Sequence, residues 1–128
     1  ATRPWQHVLD PLNGYLTLAC NLADSRELNG EAFNFGPESS YSVSILVENL
    51  SKHYDGSRWN IDKETNLPHE SKLLSLNCEK SRNILNIKQK IGLEMMSEWT
   101  SSWYKNFYNN VKISSTTVNQ IEEFMNLD

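Results

Sequence analysis

Apolar residues recur at helical spacing through most of this chain, whereas only three short segments resemble strands. Residues 32–35, 58–62 and 73–76 are four or five residues long and are rich in aromatic or branched apolar side chains. Strands this few and this short do not form a stable sheet by themselves. The sequence therefore predicts a helix-rich α/β chain whose strands lie at the edge of a sheet completed by other polypeptide.

Capping residues place helices between and after these strands. Asp is a favoured N-cap and Pro a favoured first helical residue, so Asp10-Pro11 predicts the start of the first helix. The apolar residues that recur along one face of that helix are Leu12, Leu16, Ala19 and Ala23. Further helices are predicted after Ser42, Asn77, Gly92 and Thr117, with Gln120 completing a capping box in the last one.

Charge and composition exclude several classes of partner. The 128 residues carry 12 basic and 16 acidic side chains, a net charge of −4, which argues against a nucleic-acid partner. The sequence contains no apolar run of about 18 residues and no basic-plus-apolar leader, so we expect no membrane partner and a cytoplasmic location. Cys20 and Cys78 are expected to be two buried, reduced thiols. His7, His53 and His69 lack the spacing of zinc ligands, so no metal site is predicted.

Two patterns suggest catalysis only superficially. Tyr108 and Lys112 match Tyr-x-x-x-Lys, but the match falls at the end of a predicted helix and no glycine-rich dinucleotide loop accompanies it. Cys78 begins a predicted helix, where a thiol pKa can be lowered, yet it has no adjacent histidine. We interpret the first as coincidence and the second as structural, and predict no catalytic residue in this chain.

The segment before the first helix carries a more informative combination. Arg3 stands in Arg-Pro-Trp-Gln-His, and an arginine fork can bind a phosphate through two hydrogen bonds. His69 and Glu70 lie in a predicted loop, where a carboxylate can accept hydrogen bonds from vicinal hydroxyls. Arginine and carboxylate together suit a sugar nucleotide; the alternative is an ordinary surface arginine and a loop acid.

Several segments in order resemble one enzyme family. Residues 3–16 resemble the start of the C-terminal substrate lobe of the CDP-glucose 4,6-dehydratases, which are extended short-chain dehydrogenase/reductases. Three further motifs of that family have similar counterparts here: the Asn-Phe-Gly-Pro strand, the Pro-His-Glu loop and the Leu-Lys-Leu-Asp-Cys-Ser-Lys-Ala stretch. These counterparts, with two matches near the C-terminus, are residues 33–37, 68–70, 74–81, 103–105 and 117–121.

The resemblance implies roles residue by residue. Arg3 matches the arginine that contacts the nucleotide diphosphate, Glu70 matches the acid that bonds the ribose, and His69 is placed beside the nucleotide. Leu67 stands where related enzymes often carry a second arginine, and Asn77 replaces the usual Asp. The family's catalytic Tyr-x-x-x-Lys and its NAD-binding loop belong to an N-terminal lobe. We therefore expect no cofactor in this chain, and NAD in the parent enzyme only.

These observations lead to one leading expectation and two alternatives. Residues 1–128 are expected to form the C-terminal nucleotide-sugar-binding lobe of a longer protein, because the chain starts at Ala1 without Met and the Rossmann domain is missing. The parent is expected to be a bacterial enzyme of deoxysugar synthesis for surface polysaccharide, and the chain alone to lack dehydratase activity. Expected partners are a CDP-glucose-like substrate, the Rossmann domain and a second copy bound through exposed apolar surface. The alternatives are another nucleotide-sugar epimerase or dehydratase, and a binding module without catalysis.

Overall fold

The computed structural model describes residues 1–61 and 71–128. Within that part of the chain, helices dominate and the sheet is small. The strands are β1 (Thr2–Arg3) and β2 (Tyr41–Ser42). The helices are α1 (Leu9–Asp24), α2 (Val43–Ser51), α3 (Glu79–Leu85), α4 (Leu93–Tyr108) and α5 (Ile113–Met125). No helix among these is both long and apolar enough to cross a membrane. The helix-rich α/β class predicted from the sequence is confirmed.

The sheet forms around Thr2. β1 and β2 are antiparallel, with Thr2 opposite Ser42 and Arg3 opposite Tyr41. On its other side Thr2 makes a parallel bridge to Leu73, because its N–H donates to Lys72 and its carbonyl accepts from Leu74. The N-terminal segment thus lies between two distant parts of the chain.

The three predicted strands are wrong in extent. Residues 32–35 and 58–61 form no strand, residue 62 lies outside the described residues, and residues 73–76 contribute only the bridge at Leu73. At residues 34 and 35 the carbonyl oxygens accept from the side chains of Ser81 and Gln6 instead of from a neighbouring strand. Side-chain donors therefore take the place of the backbone hydrogen bonds that a neighbouring strand would supply.

Asp10 is not the N-cap of α1. The helix begins at Leu9, and the Asp10 carboxylate accepts from the backbone N–H groups of Lys90 at 2.8 Å and Ile91 at 3.3 Å. Burial raises the pKa of Asp10, although these two donors and the Lys90 ammonium partly oppose that shift. Asp10 thus joins the start of α1 to the segment that leads into α4.

The capping predictions for the middle helices are largely confirmed. The Ser42 hydroxyl accepts from Ile45 N–H at the start of α2, and Gly92 precedes α4. Asn77 accepts from Glu79 N–H at 2.9 Å, one residue before the N-cap of α3. The second helix ends at Ser51, and tight turns after it place His53 beyond α2.

The core lies between α4, α5 and the segment that precedes α4. Its buried apolar members are Ile91, Met96, Trp99 and Phe124. The capping box predicted at the last helix is wrong, because α5 begins at Ile113. Thr117 and Gln120 instead bind α4: Thr117 Oγ1 accepts from the Trp103 indole, and Gln120 Nε2 donates to the Trp99 carbonyl at 2.9 Å.

Much apolar surface remains exposed on α1. Leu16 is 69% exposed, Tyr15 61% and Leu12 45%. Cys20, on the same helix, is also exposed, so the expectation of two buried thiols is wrong for that residue and correct for Cys78. No described element packs against this face strongly enough to cover it.

Candidate functional site

Arg3 lies beside the chain that follows the predicted acidic loop. Its Nη1 donates to the Thr2 carbonyl at 2.8 Å and to the Ser71 carbonyl at 3.0 Å. The second contact arises because Thr2 is hydrogen-bonded to Lys72 and Leu74, the residues on both sides of Leu73, which brings β1 against the start of the 71–74 segment. Ser71 is the residue after Glu70 in the sequence. The fold therefore holds Arg3 against Ser71, the residue that directly follows the Pro-His-Glu segment in the sequence.

The other predicted binding residues lie outside the described residues. His69 and Glu70 belong to the segment 62–70, as does Leu67. Their expected roles at the ribose and nucleotide remain predictions. Of the predicted site, the structure therefore describes only the arginine.

The rest of the Arg-Pro-Trp-Gln-His motif has structural contacts. The Trp5 indole donates to the Tyr41 carbonyl and Gln6 Nε2 donates to the Phe35 carbonyl, both at 3.0 Å. His7 Nδ1 accepts from Leu9 N–H at 3.4 Å, and its buried ring meets Trp99 edge-on with centroids 5.5 Å apart. Burial lowers the pKa of His7. These side chains fix the path of the segment that carries Arg3.

Two further motifs of the resemblance contact each other. The Ser81 hydroxyl lies 2.7 Å from the Asn34 carbonyl, and Asn34 Nδ2 donates to the Asn77 carbonyl. Gly36 is packed so closely that an added Cβ would lie 2.8 Å from the Leu76 side chain. Burial raises the pKa of Cys78, which opposes the lowering that a helix start can produce. This pairing therefore supports the fold and does not supply a reactive thiol.

Tyr108 and Lys112 do not share a helical face. Tyr108 is the last residue of α4 and is 69% exposed, whereas Lys112 precedes the first residue of α5. Their separation into two elements removes the geometry that a Tyr-x-x-x-Lys pair requires.

A groove that sequence reasoning missed lies between the N-terminal segment and the last two helices. It has a volume of 420 Å³, within the usual range for small-molecule sites. One wall is residues 6–9, and the other comes from α4 and α5. The residues of α4 and α5 that line it are Thr100, Trp103, Tyr104, Thr117, Gln120 and Ile121. The adjacent aromatic residues Trp103 and Tyr104 of α4 are the sequence signal from which this groove could have been predicted.

A dinucleotide does not fit the part of the chain that the structure describes. Such a site needs a glycine-rich turn between a buried strand and a helix. Gly14 lies inside α1 with Phe35 against it, and Gly30 and Gly56 have positive φ in turns. Gly36 and Gly92 complete the five glycines of the chain, and their spacing does not form that turn. No step of NAD chemistry is assigned to these residues.

Comparison with known proteins agrees with the resemblance seen in the sequence. Over 126 residues, 96% of the chain, it is 32% identical to the C-terminal part of the CDP-glucose 4,6-dehydratase of Salmonella typhimurium, covering 35% of that protein. Over 107 residues, 84% of the chain, it is 27% identical to the UDP-glucose 4-epimerase of Mycoplasma genitalium, covering 32% of it. No family model matches the chain. The chain thus spans about a third of the length of these curated relatives. The motifs in the sequence indicated a resemblance to the CDP-glucose 4,6-dehydratases. This resemblance is confirmed, because the similarity extends over nearly the whole chain.

Proposed function

We propose that residues 1–128 form the nucleotide-sugar-binding part of an NAD-dependent CDP-glucose 4,6-dehydratase-like enzyme. The observation that carries this proposal is the similarity to a CDP-glucose 4,6-dehydratase over 96% of the chain. The enzyme would act in the cytoplasm of a bacterium, in the synthesis of deoxysugars for surface polysaccharide. This part of it would bind substrate and supply no catalytic residue.

Within this proposal Arg3 binds the diphosphate and Glu70 binds the ribose hydroxyls, with His69 beside the nucleotide. The position of Arg3 supports the assignment, because its guanidinium reaches the carbonyl of Ser71, the residue that follows Glu70. A guanidinium and a carboxylate are the two recognition groups that a nucleoside diphosphate requires.

The proposal also assigns a partner and a place for the cofactor. The curated dehydratase is almost three times as long as the matched segment, so most of such an enzyme lies outside this chain. NAD would be bound by that other part, a Rossmann domain. The exposed apolar face of α1, which includes Leu12, Tyr15 and Leu16, is the surface on which we place its contact.

Substitution of Arg3 tests the binding role. In the complete polypeptide that carries this chain, Arg3→Ala should weaken CDP-glucose binding roughly 10- to 150-fold, the scale of a lost hydrogen bond to a charged group. Isothermal titration calorimetry with CDP-glucose measures the change. Arg3→Lys should recover part of the affinity, since it restores the charge but not the two-pronged geometry.

Arg26→Ala is the matched control, because Arg26 is an exposed arginine in the turn after α1. Unchanged affinity in Arg3→Ala would remove Arg3 from the site. Turnover of CDP-glucose with NAD⁺ by residues 1–128 alone would contradict the proposal that this part binds substrate and supplies no catalytic residue.

A second candidate is another nucleotide-sugar epimerase or dehydratase. It is favoured by the similarity to a UDP-glucose 4-epimerase over 84% of the chain. The two candidates differ in the base and in the product. Tighter binding of UDP-glucose than of CDP-glucose by the complete polypeptide, with epimerised sugar as product, would establish the second.

A further inference from the structure

The groove between residues 6–9, α4 and α5 has properties of a ligand site that the proposed nucleotide residues do not share. Among the described residues, ten line the groove and none of these carries a full charge; Arg3 is not one of them. The residues that line the groove include the aromatic Trp103 and Tyr104 and the aliphatic Val8 and Ile121. Val8 is 60% exposed and Ile121 40%, so apolar surface is left open to solvent there.

His7 provides a directional polar group inside this apolar groove. Only 6% of the residue is exposed, and it lines the groove. Because Nδ1 accepts from the Leu9 N–H, the proton of the neutral ring must be on Nε2. Burial lowers the pKa of His7, which keeps the ring in this neutral form.

The Nε2–H has no acceptor among the described residues. His7 makes one hydrogen bond there, through Nδ1. Among the described residues, Ser101 Oγ is the side-chain polar atom that is both fully enclosed and without a partner. His7 Nε2 also lacks a partner among them, so it cannot be fully enclosed. We therefore infer that this donor is available to a ligand in the groove that His7 lines.

Acceptors and hydroxyls accompany this donor. Gln6 and Gln120 each use Nε2 for a backbone carbonyl, and within the described chain their Oε1 atoms have no partner. Tyr104 is half exposed and adds a phenol. The groove thus combines aromatic walls with uncharged hydrogen-bonding groups, as small-molecule sites do.

We propose that this groove binds an uncharged aromatic molecule that carries a carbonyl-type acceptor. The ring lies against Trp103 and Tyr104, and the carbonyl accepts a hydrogen bond from His7 Nε2–H. The described lining residues offer no charged partner to a phosphate or a carboxylate, and a buried charge without a partner is costly, so an uncharged ligand is favoured. The site is separate from the proposed diphosphate site at Arg3.

Benzamide is a suitable probe, since it has one aromatic ring and one carbonyl. The ¹⁵N-labelled chain of 128 residues is titrated with benzamide, and chemical shifts are followed at the Trp103 indole and at residues 6–9. For so small a ligand we expect a Kd of about 1–10 mM. His7→Phe keeps a ring against Trp99 but removes the donor, and should weaken binding about fivefold to tenfold.

Two further variants make the test independent of His7 folding effects. Ile121→Trp fills the groove from an exposed position and should abolish the shifts. His53→Phe changes a histidine in the turn after α2, away from the groove, and should leave binding unchanged. Toluene lacks the carbonyl, so it should bind the original chain and His7→Phe equally.

Several outcomes would overturn the proposal. These are the absence of shifts at the groove up to about 10 mM benzamide, the range expected for a fragment, and shifts that persist in Ile121→Trp. Equal benzamide affinity in His7→Phe would remove the hydrogen bond from the proposal. Benzylamine, which is cationic at neutral pH, should not compete; competition equal to that of benzamide would contradict the preference for an uncharged ligand.

Discussion

At the scale of single residues, His7 links folding to pH. Its ring is packed edge-on against Trp99, and its Nδ1 is the acceptor for the Leu9 N–H at the start of α1. Protonation would put a second hydrogen where that acceptor is needed and would place a charge in an apolar surrounding. Both effects favour the neutral ring, in line with the lowered pKa of His7.

The lowered pKa makes a prediction about stability with a definite sign. Below pH 6.5, the ordinary value, the unfolded chain takes up the proton while folded His7 resists it, so stability falls as pH falls. Relative to His7→Phe, the original chain should lose free energy of unfolding between roughly pH 7.5 and pH 5, with a slope of at most ~1.4 kcal/mol per pH unit. Urea unfolding of both proteins at several pH values measures this difference, and a difference that is constant with pH would contradict it.

Asp10 shows why a correct residue preference can give a wrong position. Asp before Pro is a typical helix start, and a helix does start there, two residues earlier than predicted. The Asp10 carboxylate does not cap the helix, because it accepts hydrogen bonds from the backbone N–H groups of Lys90 and Ile91, about eighty residues later in the chain. Local preference could predict the helix, but a contact so distant in sequence leaves no local signal.

At the scale of elements, α1 is positioned by a glycine. A Cβ at Gly14 would lie 2.7 Å from two ring atoms of Phe35, a distance that a real contact does not tolerate. Glycine therefore lets α1 approach the 31–38 segment closely, and the Tyr15 and Phe35 rings meet edge-on beside it at 5.4 Å. The segment predicted as a strand is thereby held against a helix.

Gly14→Ala should destabilise the chain although alanine is the better helix former. Helix propensity favours alanine by about 1 kcal/mol, and overpacking against the ring costs about 1–3 kcal/mol, so we expect a net loss of up to about 2 kcal/mol. Urea denaturation measures it. In a Phe35→Ala background the space is open, and the same Gly14→Ala change should become neutral or stabilising. Equal losses in both backgrounds would show that the Phe35 contact is not the cause.

The helices were more predictable than the strands for a physical reason. A helix satisfies its own backbone hydrogen bonds, so Ser42 and Gly92 mark real helix starts from local sequence alone. A strand needs a partner, and residues 32–35 have none among the described residues. The strands that do form, at Thr2–Arg3 and Tyr41–Ser42, have only two residues each and give no periodic signal.

At the scale of the whole molecule, the chain leaves a continuous apolar face uncovered. The periodic residues Leu12 and Leu16 of α1 are both exposed to solvent. The core that does form is small and lies at α4 and α5. Sequence periodicity predicted correctly that this face is apolar, but the sequence of one chain does not reveal which polypeptide covers it. The same limit applies to the proposed nucleotide site, of which the described residues contain only Arg3.

Leu16→Lys distinguishes a face that belongs to the core from one that receives another domain. Because Leu16 is 69% exposed, the substitution should change the stability of residues 1–128 by no more than about 0.5 kcal/mol. It should also reduce any self-association of that chain in light scattering, since a buried lysine at a contact between copies is costly. If a Rossmann domain covers the α1 face in the complete polypeptide, as proposed, the same change should lower the thermal midpoint of that protein. Met125→Lys is the matched control: Met125 is 75% exposed on α5, outside the face, and its substitution should have little effect at either length. An equal effect of Leu16→Lys on the short and complete proteins would mean that the face of α1 is not where the two parts meet.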